Sequence, residues 1–481
     1  MAKEGSFTTD AVRLTASKVI GNIITLVSAM LLARIRTLEE NGIYSELLLV
    51  INLATVIIML GLPNSINYFL TRAESKEEKN KFLSLYYSLS TVLSLILGVI
   101  LVALLPLWVM FFDDVNLYSF SFFLFIFPWA KVVTASVENV LVVLGKSKSL
   151  VSYRISNSIC LLLIILFIWI TNNSFMIYMI LYVIIESVYA ITVYLLAGKY
   201  TGRLHWNINK QLIISVMKFS IPLGLASIVG TINIEIDKLM IGYMLSTEEL
   251  AIYTNASKEL PLTIVATSLT AVLMPKMVKC FQQNKNVEAV AIWRDVATIS
   301  FAIIAFFGVG MAFFSTDAMI VLYSEKYAPG GPVFAIYSIV LLLKCTYFGI
   351  VLNSTGNTKL ILYSALGTLV LNTIMNIGFY HLFGVVGPAL ATLVSGIMMN
   401  LFQLIFSSRI INVKFKDIFP WKNIAIIVLI NISLGLIFYY IHIALFPGNF
   451  QAIILAVLWG IVYFFILLKP GKNYWRKLKS V

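Results

Sequence analysis

The chain has 481 residues, of which 60% are hydrophobic and only 12% charged, with a formal net charge of +13 and a mean hydropathy of +0.93. A soluble domain carries about 25% charged residues and could not hide this much apolar surface. A soluble globular enzyme is therefore excluded, and the chain reads as a polytopic membrane protein. Its apolar runs are about 20 residues long, the length a helix needs to cross about 30 Å of hydrocarbon, whereas barrel strands would be about ten residues of alternating polarity. Only helices or closed barrels satisfy the backbone in lipid, so the fold is all-α.

In chain order the pattern predicts about 14 transmembrane helices, near 12–34, 42–70, 82–110, 116–144, 150–171, 175–197, 212–236, 250–275, 293–315, 332–354, 358–380, 385–408, 422–444 and 450–468. The first is full length and lacks a small-residue cleavage site after a short core, so no cleavable signal peptide is expected. Between the ninth and tenth spans, Met319 to Tyr323 reads as a short interfacial helix ahead of Pro329 and Pro332. Most of the 35 Lys and Arg fall in alternate loops, at 72–81, 146–148, 199–210, 276–294 and 409–422, and in the tail at 469–479. The opposite loops hold Arg34, Arg36 and Lys326. Cytoplasmic loops carry the positive excess, so both termini should be cytoplasmic, in a multi-pass plasma or inner membrane protein. The charge is split among short loops, which argues against a nucleic-acid partner.

An internal repeat is present. The run from Ala33 to Tyr44 echoes that from Gly242 to Tyr253, with Glu39, Glu40 and Tyr44 recurring at an offset of 209. Leu144 to Lys148 echoes Thr355 to Lys359 at 211, and Pro63 matches Pro275 at 212. Spans one to six and seven to twelve are thus two copies in the same orientation, related by an axis along the membrane normal, with a transport path expected between them. The division is 1–205 for an N-terminal six-helix lobe, 206–415 for a C-terminal six-helix lobe, and 416–481 for two extra helices and a basic cytoplasmic tail.

These landmarks resemble the polysaccharide flippases, the Wzx-type branch of the superfamily that contains MATE drug exporters and the lipid II flippase. The first repeat matches the family pattern in Ala33, Arg34, Glu39, Glu40, Gly42 and Tyr44, and departs from it at Arg36 and Leu38, where Leu and Pro are common. The second half matches from Phe219 to Gly224, from Ile236 to Lys238, and at Ile252 and Tyr253; Gly387 to Thr392 looks like the family's start of span twelve. The resemblance implies a two-lobed, V-shaped bundle that moves a lipid-linked oligosaccharide across the membrane.

Ionisable residues at membrane depth point the same way, because each costs about 2.5–3.5 kcal/mol at a span centre and must face water or a partner. Lys131 lies 14 residues from Gly145, about 21 Å above the inner boundary. Lys344 lies 12 residues from Gly356, about 18 Å from that boundary. Lys258 lies nine residues past Glu249, about 14 Å below the outer boundary. Three deep ammonium groups suit an anionic phosphate or pyrophosphate, with Arg34 at the outer end of span one as a further substrate contact. Local pairing is the alternative: Glu138 and Glu259 are available to the lysines, and Glu39 or Glu40 to Arg34. Glu186, near the middle of span six, is a candidate for ion coupling, as are Glu138 and Asp237. Trp129 lines the cavity or simply packs. Arg154 and Lys218 read as snorkelling anchors near the inner face.

Other signals carry little. Gly145-Lys-Ser147 lacks the earlier glycine of a P-loop, since position 140 is Val140. His205, His381 and His442 are scattered, and Cys160, Cys280 and Cys345 form no disulfide or metal spacing. No enzymatic activity, cofactor or metal is expected; a proton or Na⁺ gradient, or the membrane potential, would supply the drive. The reading is a transporter for O-antigen, capsule or exopolysaccharide biosynthesis. Its partners would be a polyprenyl-(pyro)phosphate-linked oligosaccharide, membrane lipids, a polysaccharide polymerase and glycosyltransferases. The competing readings are a multidrug cation exporter, disfavoured by the lysines, and a membrane glycosyltransferase, disfavoured by the short loops.

Overall fold

The computed structural model describes residues 4–258 and 261–479, with side chains described from Arg13 to Leu467 on either side of the 259–260 gap. Glu259, a partner considered for Lys258, lies outside the described residues, and so do the side chains of the basic tail. Every regular element among the described residues is helical. The chain falls into two compact units, residues 1–251 and 252–481. This is a division by packing, whereas the 1–205 boundary is a division by sequence repetition.

The first unit contains α1 (Glu4–Ile35), α2 (Leu38–Met59), α3 (Lys76–Ala103), α4 (Ser121–Val143), α5 (Ser147–Thr171), α6 (Phe175–Thr201), α7 (Lys210–Met244) and the start of α8 (Thr247–Ala256). The second holds the rest of α8 and α9 (Thr263–Gln282), α10 (Asn286–Phe313), α11 (Gly331–Val340), α12 (Thr358–Phe383), α13 (Gly387–Ile410), α14 (Trp421–Leu445) and α15 (Asn449–Lys479). Thirteen segments among the described residues are long and apolar enough to cross a membrane; one of them, Thr358–Ile410, comprises both α12 and α13. The short helix expected around 319–323 is present as Ser315–Leu322.

The repeated acidic motif is a helix start. Thr37 caps α2: its Oγ1 accepts from Glu40 N at 3.1 Å, and Glu40 Oε2 accepts from Thr37 N at 3.1 Å. Ser246 and Glu249 make the same reciprocal pair before α8, both bonds at 3.2 Å. Two orphan amides are satisfied at each site, and a negative charge sits at the positive end of the helix dipole. The offset of 209 thus has a structural cause at this landmark.

The proline landmark does not have one. Pro63 opens a new turn after a break in span two, whereas Pro275 sits inside the continuous helix α9. The break runs through Leu60 (φ 41°) and Gly61 (φ 75°), both left-handed. That conformation costs a residue with a side chain about 1–2 kcal/mol. It then leads into Leu62–Ser65 and a π-helical turn, Ile66–Leu70. Gly61 is wedged against α7, where an added Cβ would meet Ser220 O at 2.4 Å and Gly224 N at 2.5 Å.

The second unit also departs from regular helix, at different positions. The expected spans 250–275 and 332–354 are not continuous. Span eight is interrupted between Ala256 and Thr263, and span ten runs from α11 through a 3₁₀ turn, Leu341–Lys344, to Ile350–Ser354. The two C-terminal helices build the core of this unit. Trp459 of α15 is fully buried, with Phe306 edge-on at 6.1 Å, and Tyr463 donates to Ala302 O at 2.8 Å.

Gly224 tests the α2–α7 crossing, because an added Cβ would lie 2.2 Å from the Leu60 carbonyl carbon, whereas one at Gly230 on the same helix meets nothing within 4 Å. Gly224→Ala should lower the unfolding temperature of the purified protein, at a cost of about 1–3 kcal/mol for overpacking. Gly230→Ala should leave it unchanged or slightly raised.

Candidate functional site

Deep in the first unit, α2, α4 and α7 share one polar network. Lys131 stands midway along α4, and its ammonium donates to Asn52 Oδ1 on α2. Asn52 Nδ2 donates in turn to Glu235 Oε1 on α7 at 3.1 Å. Glu235 Oε2 accepts from Lys238 Nζ at 2.8 Å, one turn further along α7. Two ammonium groups, one carboxylate and one amide give these four residues a formal charge of +1. Glu235 is buried, at 8% exposed, and Asn52, Lys131 and Lys238 are half-buried. The low dielectric strengthens each bond and raises the cost of losing one partner.

The structure corrects several expected pairings. Lys131 does not bond Glu138, which lies seven residues away, about 10.5 Å along the helix. The Lys131 amine reaches across to Asn52, and Glu138 accepts Arg154 at 2.9 Å and Lys18 at 3.8 Å. Arg154 is therefore more than a snorkelling anchor. Glu235 and Asp237 lie within α7, which continues to Met244, past the expected end of the span at 236. Glu186 is 7% exposed and accepts from Asn157 Nδ2 at 3.1 Å.

At the far end of span one, Arg34 is exposed. Its neighbour Arg36 is the residue that faces Glu40, at 3.9 Å, and it also donates to Asn173 O. Glu39 accepts from Asn116 Nδ2 at 3.0 Å. In the second unit, Lys258 and Lys344 both sit where a span is interrupted, Lys258 just past α8 and Lys344 closing the 3₁₀ turn after α11; both are exposed. Lys131, by contrast, stands on a regular helix. Trp129 packs: its Nε1 donates to Tyr194 Oη at 3.0 Å, and the rings stack at 6.4 Å.

Two features escaped the sequence reading. Glu46, in the first half of α2, is 1% exposed, accepts from Thr247 Oγ1 at 2.8 Å, and lies against the Asp114 carboxyl. A lone acid within the apolar run 41–59 was the available signal. In the second unit, α10, α15 and Ser315–Leu322 enclose an apolar recess of about 750 Å³, lined by Phe306, Phe314 and Ile461 among others, with Asp317 at its edge. Asp317 lies 3.4 Å from His442 Nε2 on α14. Only folding brings these helices together, so no local sequence signal existed. Among the described residues no group of three or more His, Cys, Asp or Glu is arranged to hold a metal ion.

Comparisons with known proteins extend these observations. The family described as "Polysaccharide biosynthesis protein" matches residues 7–281, more than half of the chain. Capsular polysaccharide biosynthesis protein CapF of Staphylococcus aureus is 23% identical over 183 residues, which is 37% of this chain. The chain spans 46% of that relative. Among solved structures, the lipid II flippase MurJ in an inward closed conformation aligns with a TM-score of 0.76 at 19% identity, covering 97% of this chain and 99% of that one. An inward-facing multidrug resistance transporter of the MATE family aligns at 0.63 and 14% identity, covering 83% and 98%. At these identities the solved structures establish the fold.

The network predicts an order of damage. Glu235→Gln leaves Lys131 and Lys238 around an amide with no carboxylate, and should destabilise the protein by about 3–5 kcal/mol, as losing one partner of a buried pair does. Lys131→Met leaves Glu235 with Lys238 and should cost clearly less. Thermal unfolding of the two variants in the same detergent measures the difference.

Proposed function

Because the chain belongs to the polysaccharide biosynthesis protein family and shares its fold with a lipid II flippase, we propose that it flips a polyprenyl-(pyro)phosphate-linked oligosaccharide from the cytoplasmic to the outer leaflet. The observation that carries this reading is the Lys131 network, a net positive polar cluster that joins three membrane-length helices at positions inside their ends. Such a cluster is costly unless it serves a ligand or a pathway. The phosphate of a lipid-linked sugar is a suitable ligand, since lysine binds phosphate as a point charge.

In this mechanism the glycan crosses through water while its isoprenoid tail stays in an apolar environment. The recess bordered by Phe306, Phe314 and Ile461 offers the tail an apolar surface. Lys258 and Lys344 would add positive charge at the interrupted spans, and Arg34 would meet the headgroup at the far end. Alternating exposure to the two sides would carry the headgroup across. An interior-negative potential contributes about 2.3 kcal/mol per charge per 100 mV toward outward movement of an anion. Glu186 and Asp237, both buried, are proposed as sites where a proton or Na⁺ could reset the empty carrier; Glu138, held by two cations, is the weaker candidate for that role.

Reconstitution in liposomes tests the proposal, with a fluorescent polyprenyl diphosphate oligosaccharide as substrate and a membrane-impermeant quencher as readout. The wild-type protein should move the probe. Lys131→Gln, Lys258→Gln and Lys344→Gln should each slow it at least about tenfold, the effect of losing one charged phosphate contact, with membrane insertion intact. Full activity in all three variants, or transport of an organic cation with none of the glycolipid, would reject the reading.

A further inference from the structure

The basic end of the first unit carries a second cationic feature, on the same helices as the Lys131 network. After the break at Leu60 and Gly61, span two restarts against α7 and forms the π-helical turn Ile66–Leu70, a geometry that recurs at functional sites. Tyr68 lies on this turn, and the ring of Phe219 on α7 stacks against it at 4.3 Å between centroids with a 27° tilt. The Arg72 guanidinium carbon lies 3.8 Å from the same Tyr68 centroid. Two groups so close to one centroid cannot share a face, so the Tyr68 ring is sandwiched between them. Arg72 also donates to the Tyr68 hydroxyl.

The stack fixes the guanidinium in place while leaving Arg72 exposed. Among the described residues no carboxylate lies within ion-pair reach of Arg72, whereas Arg36, Arg154, Lys18, Lys238 and Lys285 all have one. Glu78, six residues on, is taken up by the cap of α3, accepting from Ser75 N and Glu74 N. A preoriented guanidinium presents a planar fork of donors that matches phosphate oxygens. Beside it, Asn67 Nδ2 on the same π-helical turn meets Asn139 Oδ1 on α4 at 3.5 Å. Exposed amides of this kind suit sugar hydroxyls. Lys131 lies eight residues before Asn139 on α4, about 12 Å away.

We propose that Arg72, held by Tyr68 and Phe219 at the broken end of span two, is a docking site for the phosphate of a lipid-linked substrate, ahead of the Lys131 network. The site's ligand chemistry, a phosphate on a lipid headgroup, comes from the geometry; its assignment to the transported substrate rests on the flippase reading. The amides of Asn67 and Asn139 take the first sugar. The break in span two serves the site by turning residues 66–72 away from the path of α2.

Binding of farnesyl diphosphate to the full-length protein in nanodiscs tests the site without requiring transport. In phosphatidylcholine discs Arg72→Gln should weaken binding about tenfold or more, the effect of losing one charge-assisted contact. Arg72→Lys, which keeps the charge but not the stacked plane, should fall between wild type and Arg72→Gln. Unchanged affinity in Arg72→Gln overturns the site. Should that variant unfold, wild-type affinity in Arg72→Lys overturns the requirement for the planar fork. In discs containing phosphatidylglycerol the wild-type affinity should persist; its loss would assign the site to bulk phospholipid and overturn the link to substrate. Translocation by a wild-type protein whose Arg72→Gln variant binds normally removes the site alone. Normal site behaviour without translocation removes the flippase reading alone.

Discussion

An ammonium group inside hydrocarbon must be answered by oxygen, and in this chain Asn52 answers it. The amide has two ends, so it can accept from Lys131 and donate to Glu235 at once. A carboxylate in place of Asn52 would meet Glu235 with like charge; an apolar residue would leave the Lys131 ammonium without its acceptor. The amide joins α4 to α7 through α2 without changing the net charge, leaving the cluster positive and suited to an anion.

Span two and the stretch from α7 to the start of α8 meet at three levels with three different chemistries. At the basic end Tyr68 stacks on Phe219; midway Asn52 bonds Glu235; at the other end Glu46 accepts from Thr247, just beyond α7. Backbone packing fixes the register between the first two, because Gly61 and Gly224 allow an approach that no larger residue would permit. A polar seam sustained along a helix pair is unusual for lipid-facing helices, where polar groups are costly, and expected where they border a route for a charged headgroup.

The internal repeat shows how duplicated sequence can diverge in structure. The acidic motif keeps its job in both copies because a capping box needs only local chemistry. Pro63 and Pro275 match in position and differ in setting. Whether a helix continues past such a residue depends on what packs beside it. In the first unit the break follows Met59 of α2; in the second it comes in spans eight and ten.

The sequence by itself determined the membrane class, the all-helical fold and the residues whose charge demanded an explanation, because these depend on transfer free energies and local capping that act along the chain. It did not determine partners. Lys131 and Glu138 looked suited to each other on one helix, yet each found a nearer group on another, and Asn52, Glu46 and the stack on Tyr68 gained their roles only from neighbours up to about two hundred residues away in the chain. Tertiary structure alone decided these matters, since hydrogen bonds and ring stacking act over a few ångströms in space, and separation along the chain does not measure that distance.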